Sequence, residues 1–224
     1  MTEPLPAQPN QSIITGIALL QEVVTAGEPV GSRELARRMQ IGHSTVNRIL
    51  GTLVHIGMLN RVDGRKYGVG PGVHVLSAQS LHASRLIPAS IGPLKALQAL
   101  GATVALGTVW NDVVCYLIHA RPDADLATTI GAHQTFPLRE SVIGAVIERR
   151  ERVIRWDRVD RKEVAWAASV GTPPVAAIAA VFPESHPAAK EPATRELIVR
   201  CATQIEADIT AAPEQARSKK ETVS

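Results

Sequence analysis

Aromatic residues make up only 3% of this 224-residue chain. The core must therefore be aliphatic, and a stacking platform for single-stranded nucleic acid is not expected. Cysteine is equally sparse: Cys115 and Cys201 stand far apart, which excludes a disulfide framework and any Cys-x-x-Cys metal pair. His43, His55, His74, His82, His119, His133 and His186 are scattered, and no two of them sit at i, i+4, so neither a metal nor a cofactor is expected. There is no phosphate loop, G-x-S-x-G elbow or Cys/His nucleophile pair; no catalytic residue is assigned and an enzyme is not expected. No apolar run reaches the ~18–20 residues that cross a bilayer, and the opening MTEPLPAQPNQS lacks the charged start and apolar stretch of a secretory leader. These absences point to a cytoplasmic protein with no membrane partner.

What is present is unevenly distributed. The net charge is +3, but residues 29–70 alone hold seven basic side chains (Arg33, Arg37, Arg38, Arg48, Arg61, Arg65, Lys66) against Glu34 and Asp63, a local excess of +5. A positive field concentrated in one short window is an electrostatic footprint for nucleic acid.

The same window has a readable order. Ile13, Ile17, Leu20 and Val24 recur at helical spacing over 11–26, with Ile14, Leu19 and Val23 widening the stripe, and Gly27 and Pro29 end it. Ser32 is read as the cap of a short helix over 33–39, whose Leu35, Ala36 and Met39 face inward. Ile41-Gly42 makes a turn, a third helix runs from His43 to Ile56, and Gly57 stops it. Two strand-like segments, 58–62 and 65–69, flank Asp63-Gly64, a strong hairpin signal. Helix, helix, turn, helix, hairpin is the order of a winged helix-turn-helix.

At 100° per residue the third helix gathers Val46, Ile49, Leu50, Leu53 and Ile56 on one side. The other side carries Ser44, Arg48, Gly51 and His55, flanked by Asn47 and Thr52. A short, donor-rich face of this kind suits the major groove of double-stranded DNA: Arg48 matches guanine and Asn47 matches adenine, both bidentately. Ser44 and Thr45 lie in the first turn, where free amides hold phosphate. Arg33 is placed to grip the backbone, and Arg61, Arg65 and Lys66 form a basic wing.

Beyond Gly70-Pro71-Gly72 a linker helix is expected over 73–85, followed by an α+β domain over 86–212. Its elements are a helix at 89–100, a hairpin at 102–119 turning at Trp110-Asn111-Asp112, a strand at 126–130, a helix at 138–148, a buried strand at 174–182 and a helix over 190–212 broken at Pro192. The run 148–162, with seven basic and four acidic residues, reads as an exposed helix of mixed charge. Residues 1–10 and 213–224 read as disordered lead and tail, leaving 11–72 as the DNA-binding domain.

SRELARRMQ, then Ser44-Thr45-Val46-Asn47-Arg48-Ile49-Leu50-Gly51-Thr52-Leu53, Gly57 and Tyr67-Gly68-Val69-Gly70 resemble the IclR family of bacterial transcription regulators. The resemblance covers nearly all of 11–72. It implies a repressor or activator that binds a near-palindromic operator as a homodimer or tetramer. It also implies a C-terminal GAF-like α/β domain that takes a small-molecule effector. Gly131, Pro137-Leu138, Ser141 and Gly144 resemble that domain's pocket stretch, although Val142 and Ala145 replace its usual Ala and Lys, and Arg139-Glu140 its common His-Ala. The pocket that the resemblance implies takes in Leu106, Gly107, Trp110, Gly131, Ser141 and Ile143. The stretch between Gly144 and 174–182 is shorter than in that family, so the domain is read as truncated. That shortening leaves open a regulator without a ligand, whose second domain serves only association.

Overall fold

A computed structural model describes residues 8–131 and 134–211. His133 and most of the expected lead and tail lie outside the described residues. The chain divides into two units, one ending at Ala83 and the other beginning at Ser84.

In the first unit Asn10 opens α1 (Gln11–Ala26), its side-chain oxygen accepting from the amides of Ser12 and Ile13 at 3.1 and 3.2 Å. Gly27 closes it in the left-handed region at φ 68°. Next come β1 (Val30–Gly31), α2 (Ser32–Met39) and α3 (His43–His55). The wing is β2 (Leu59–Val62) and β3 (Lys66–Val69), turned by Asp63 and Gly64, both at positive φ. Leu19, Val23, Leu35, Val46, Leu50, Leu59 and Tyr67 close one core. Two details differ from expectation. No sequence signal marks β1, which pairs with β3 through Val30 and Tyr67. The broad apolar stripe of α1 is only half used: Gly16, Leu19 and Val23 are buried, whereas Ile13, Ile17 and Val24 remain 64%, 47% and 42% exposed. The stripe is wider than the surface α2, α3 and the wing offer it. The expected linker helix is α4 (Pro71–Ser84), which opens on a proline, as a first helical turn permits, and buries none of its residues.

The second unit is built on a six-stranded antiparallel sheet in the order β6-β5-β4-β9-β8-β7. Its strands are β4 (Thr103–Trp110), β5 (Val113–Ala120), β6 (Thr135–Pro137), β7 (Val153–Arg158), β8 (Glu163–Val170) and β9 (Ala176–Pro183). Three helices pack with it: α5 (Leu86–Gln98), α6 (Val142–Glu148) and α7 (Pro192–Thr210). Ala105, Ala165, Ala167, Ala177 and Ala179 share a core cluster with Val142, Ile143 and Val146 of α6. Side chains this small let the helix lie close on the strands.

Several expected boundaries move, each for a local reason. Residues 126–129 are a 3-10 turn rather than a strand, because the Asp125 side chain accepts from the Ala127 amide at 3.0 Å; only Ile130 bridges to Ile118. The helix expected from 138 begins after Ser141, whose hydroxyl accepts from the amides of Ile143 and Gly144. Pro88 lies in the first turn of α5, and Pro192 opens α7 instead of breaking it. The largest correction concerns 148–162. It is not a mixed-charge helix: β7 runs through it, paired along its length with β8. Ile154 and Trp156 alternate there with Arg155 and Asp157, a two-residue period that fits a strand.

A Cβ on Gly144 would stand 2.1 Å from the Leu138 carbonyl oxygen. Gly144→Ala is therefore expected to lift α6 from its seat and to cost about 1–3 kcal/mol in urea unfolding.

Candidate nucleic-acid interface and cavity

Four buried side chains, Val46, Ile49, Leu50 and Leu53, pin α3 into the core of the first unit. The opposite side is thereby turned outward: Ser44, Asn47, Arg48, Thr52 and His55 are exposed, and Gly51 and Thr45 half-buried. Gly42 precedes the helix and supplies no side-chain cap, so the first-turn amides beside Ser44 and Thr45 lack that partner.

The outward side has two flanks. On one, Arg33, His43, Asn47, Arg61, Arg65 and Tyr67 line a groove of about 540 Å³ between α3 and the wing. On the other, Arg48 and Thr52 border a groove shared with Ser12, Ile13, Gly16 and Ile17 of α1. The Thr52 hydroxyl donates to the Arg48 carbonyl at 3.1 Å, so what it offers outward is a methyl group and an acceptor. Lys66 is exposed on β3, apart from both grooves.

The local positive charge is sorted. Glu34 accepts from Arg37 at 2.7 Å and from Arg38 at 2.8 Å, and Arg38 also reaches Glu22 at 3.9 Å. The hydrogen bonds from Arg37 and Arg38 hold the Glu34 carboxyl below the usual carboxylate range. None of these ion pairs involves Arg33, Arg48, Arg61, Arg65 or Lys66. Among the described residues, neutralisation in this unit thus falls on Arg37 and Arg38 of α2, and the cations around α3 and the wing are in no ion pair.

Ser32 departs from its expected role. It is the first residue of α2, and the cap position belongs to Gly31. Its hydroxyl instead lies 3.0 Å from Nε2 of His43, and the Asn47 amide nitrogen lies 3.2 Å from the same atom. The signal available in the sequence was the i, i+4 spacing of His43 and Asn47 on one helix.

In the second unit a cavity of about 220 Å³ opens beside the sheet, with Tyr116, His119, Glu140, Arg158, Arg161 and Glu163 among its walls. Simple alternation along β5 would put Tyr116 and His119 on opposite faces. The register of β4 with β5 shifts between Leu106 and Gly107, leaving Leu117 as an extra residue, and this bulge turns both rings to the cavity. The rings meet edge-on at 5.3 Å, and His119 Nδ1 is 2.8 Å from the Gln134 side-chain oxygen. Arg158 lies over the Trp156 ring and 3.6 Å from Glu163.

None of the six residues expected at an effector pocket is among the walls. Leu106 and Ile143 are fully buried, Trp110 is exposed at the end of β4, and Gly131 follows the 3-10 turn at φ 81°. Gly107 packs under Tyr116, and Ser141 is buried with its hydroxyl 3.1 Å from the Tyr116 hydroxyl, so both stand directly behind the wall. The walls come from sequence neighbours, Ala105 instead of Leu106 and Val142 instead of Ile143. Arg158 and Arg161 come from the charged run, whose composition suggests a solvated helix and carries no sign of a cavity wall. Among the described residues no group of His, Cys, Asp and Glu could hold a metal ion, and no helix is long and apolar enough to cross a membrane.

Residues 12–63 match the model of the IclR helix-turn-helix domain. No curated protein matches the chain in sequence. Solved structures share its fold. One is a chain from Silicibacter sp. TM1040 assigned to the IclR transcriptional regulators, with a TM-score of 0.69 and 18% identity over 91% of this chain and 98% of that one. Another is an IclR family transcriptional regulator from Brucella abortus, at 0.68 and 16% over 95% and 96%. A third, an IclR homolog from Microbacterium hydrocarbonoxydans complexed with 4-hydroxybenzoate, gives 0.61 and 16% over 89% and 100%.

A Cβ built on Gly51 meets nothing within 4 Å. Gly51→Ala is expected to raise stability by about 0.5–1 kcal/mol in urea unfolding, since alanine is the better helix former and the site has room.

Proposed function

We propose that this chain, whose residues 12–63 match the IclR helix-turn-helix domain, is an IclR-type transcriptional regulator, that α3 enters the major groove of a near-palindromic operator, and that a small molecule in the second-unit cavity adjusts the affinity. The observation that carries the DNA reading is the division of α3 itself. One side is fixed by four buried aliphatic residues; the other is exposed, polar and bordered by Arg33, Arg61 and Arg65. Arg48 and Asn47 read base edges, guanine and adenine respectively, with Thr52 adding an acceptor. Ser44 and Thr45 hold phosphate at the helix start, Arg33 grips the backbone from α2, and Arg61, Arg65 and Lys66 reach phosphates or the minor groove from the wing. A homodimer places two such helices about 34 Å apart, in successive major grooves. The protein acts in the cytoplasm, and operator occupancy represses.

For the effector, the 4-hydroxybenzoate held by the Microbacterium homolog suggests the class. A cavity of about 220 Å³ with Arg158 and Arg161 on its wall suits a small organic carboxylate, and Tyr116 and Phe136 suit an aromatic ring. The second unit then plays the part of a GAF-like sensor, binding one of two conformations better and so shifting operator affinity. The Arg158–Glu163 pair favours a second reading, in which the cavity is internally balanced and the regulator needs no ligand.

Arg48→Ala should cost about 1–3 kcal/mol on the operator and relax one base position per half-site, whereas Lys66→Ala should weaken all duplexes alike and lower the salt slope by about one. Titration against an operator panel at several salt concentrations separates the two, and indistinguishable variants would mean that α3 is not the reading element. Thermal-shift screening with aromatic and aliphatic carboxylates decides the effector question. A ligand that raises the melting temperature of the native chain but not of Arg158→Ala supports the cavity, and no shift across the panel supports the ligand-free reading.

A further inference from the structure

The geometry points to His43 as a positioning residue for base recognition, one that orients the Asn47 amide so that its oxygen and one N–H face outward as an adenine-reading pair. This rests on the reading of α3 as the element that enters the groove.

Three residues from two helix starts converge. His43 is the first residue of α3, Asn47 follows one turn later, and Ser32 is the first residue of α2. The Asn47 amide nitrogen sits 3.2 Å from Nε2 and 3.5 Å from Nδ1 of the His43 ring, and the Ser32 hydroxyl sits 3.0 Å from Nε2. An amide nitrogen only donates, and each ring nitrogen serves one partner, as donor or as acceptor. With Nε2–H donating to the Ser32 hydroxyl, Nδ1 receives one of the two amide hydrogens. The reverse orientation would turn the amide oxygen to the ring and leave only the NH2 group facing the groove. With the nitrogen inward, the oxygen points outward beside the remaining N–H. One acceptor and one donor side by side are what adenine N6 and N7 require.

Ser32 matters because an exposed ring bonded only to Asn47 would swing freely. Its hydroxyl ties the imidazole to α2, so the amide is referenced to the helix pair rather than to one flexible side chain. Among the described residues that line this groove, no carboxylate competes for the amide: the other side chains beside His43 and Asn47 are Ser32, Arg33, Arg61, Arg65 and Tyr67. His43 therefore acts through Asn47 and need not touch the base.

The test is selection from a randomised duplex pool by the full-length chain and by His43→Ala, His43→Gln and Asn47→Ala. The native chain should enrich adenine at one position per half-site. Asn47→Ala and His43→Ala should each reduce that enrichment about tenfold, the scale of one bidentate base contact, and leave the other positions and the salt slope unchanged. His43→Gln, whose side-chain oxygen can accept from Asn47, should restore most of it, and all three variants should melt with the native chain. The proposal is overturned if His43→Ala keeps the native adenine enrichment while Asn47→Ala loses it. An even loss at all positions, or a loss that His43→Gln fails to repair, would equally overturn it. A native chain that binds no duplex in a salt-dependent way would bring down the DNA reading as well, which separates that failure from this one.

Discussion

The first unit depends on the burial of one side of α3. Val46, Ile49, Leu50 and Leu53 are closed over by α1, α2 and the wing. Each such side chain removed from water contributes about 1.5–3 kcal/mol, far more than any exposed ion pair nearby. The rotation of α3 about its axis is therefore set by its apolar face, and its polar face goes where that rotation sends it. Ser44, Asn47, Arg48 and Thr52 are thus presented outward by what lies behind them.

Charge is arranged to match. Glu34 takes Arg37 and Arg38, with Glu22 also reaching Arg38, while Arg33 at the other end of the same helix lines the groove. Exposed pairs of this kind add little stability. Their consequence is spatial, because the paired arginines, Arg37 and Arg38, line neither groove beside α3, whereas Arg33, Arg48, Arg61 and Arg65 do. The basic field is narrower and better aimed than the sequence window of +5 suggested.

This unit was largely legible in the sequence, and the reason is physical. A helix half in and half out of a core declares its inner face by its own residues, and Asp63-Gly64 declares the turn of the wing through the positive φ it must adopt. What escaped was relational. The pairing of β1 with β3 and the meeting of Ser32 with His43 join residues whose individual propensities say something else; serine before a helical run looks like a cap until the structure shows its hydroxyl elsewhere.

The second unit was less legible for a different reason. A strand reveals its orientation by alternation only when one face is wet. In β4, Val104, Ala105 and Leu106 are all buried, and β8 is buried from Val164 to Val170, because helices pack against the sheet from both sides. With both faces apolar, the sequence does not say whether Ala105 or Leu106 faces a given side, and a one-residue error exchanges the two faces. The bulge at Leu117 compounds the problem by resetting the alternation midway along β5. The walls of the cavity are thus fixed by tertiary packing, and its two arginines come from a run whose charges looked solvated. That run could be recognised as a strand only through Ile154 and Trp156, the inward residues that pack in the cluster with α6.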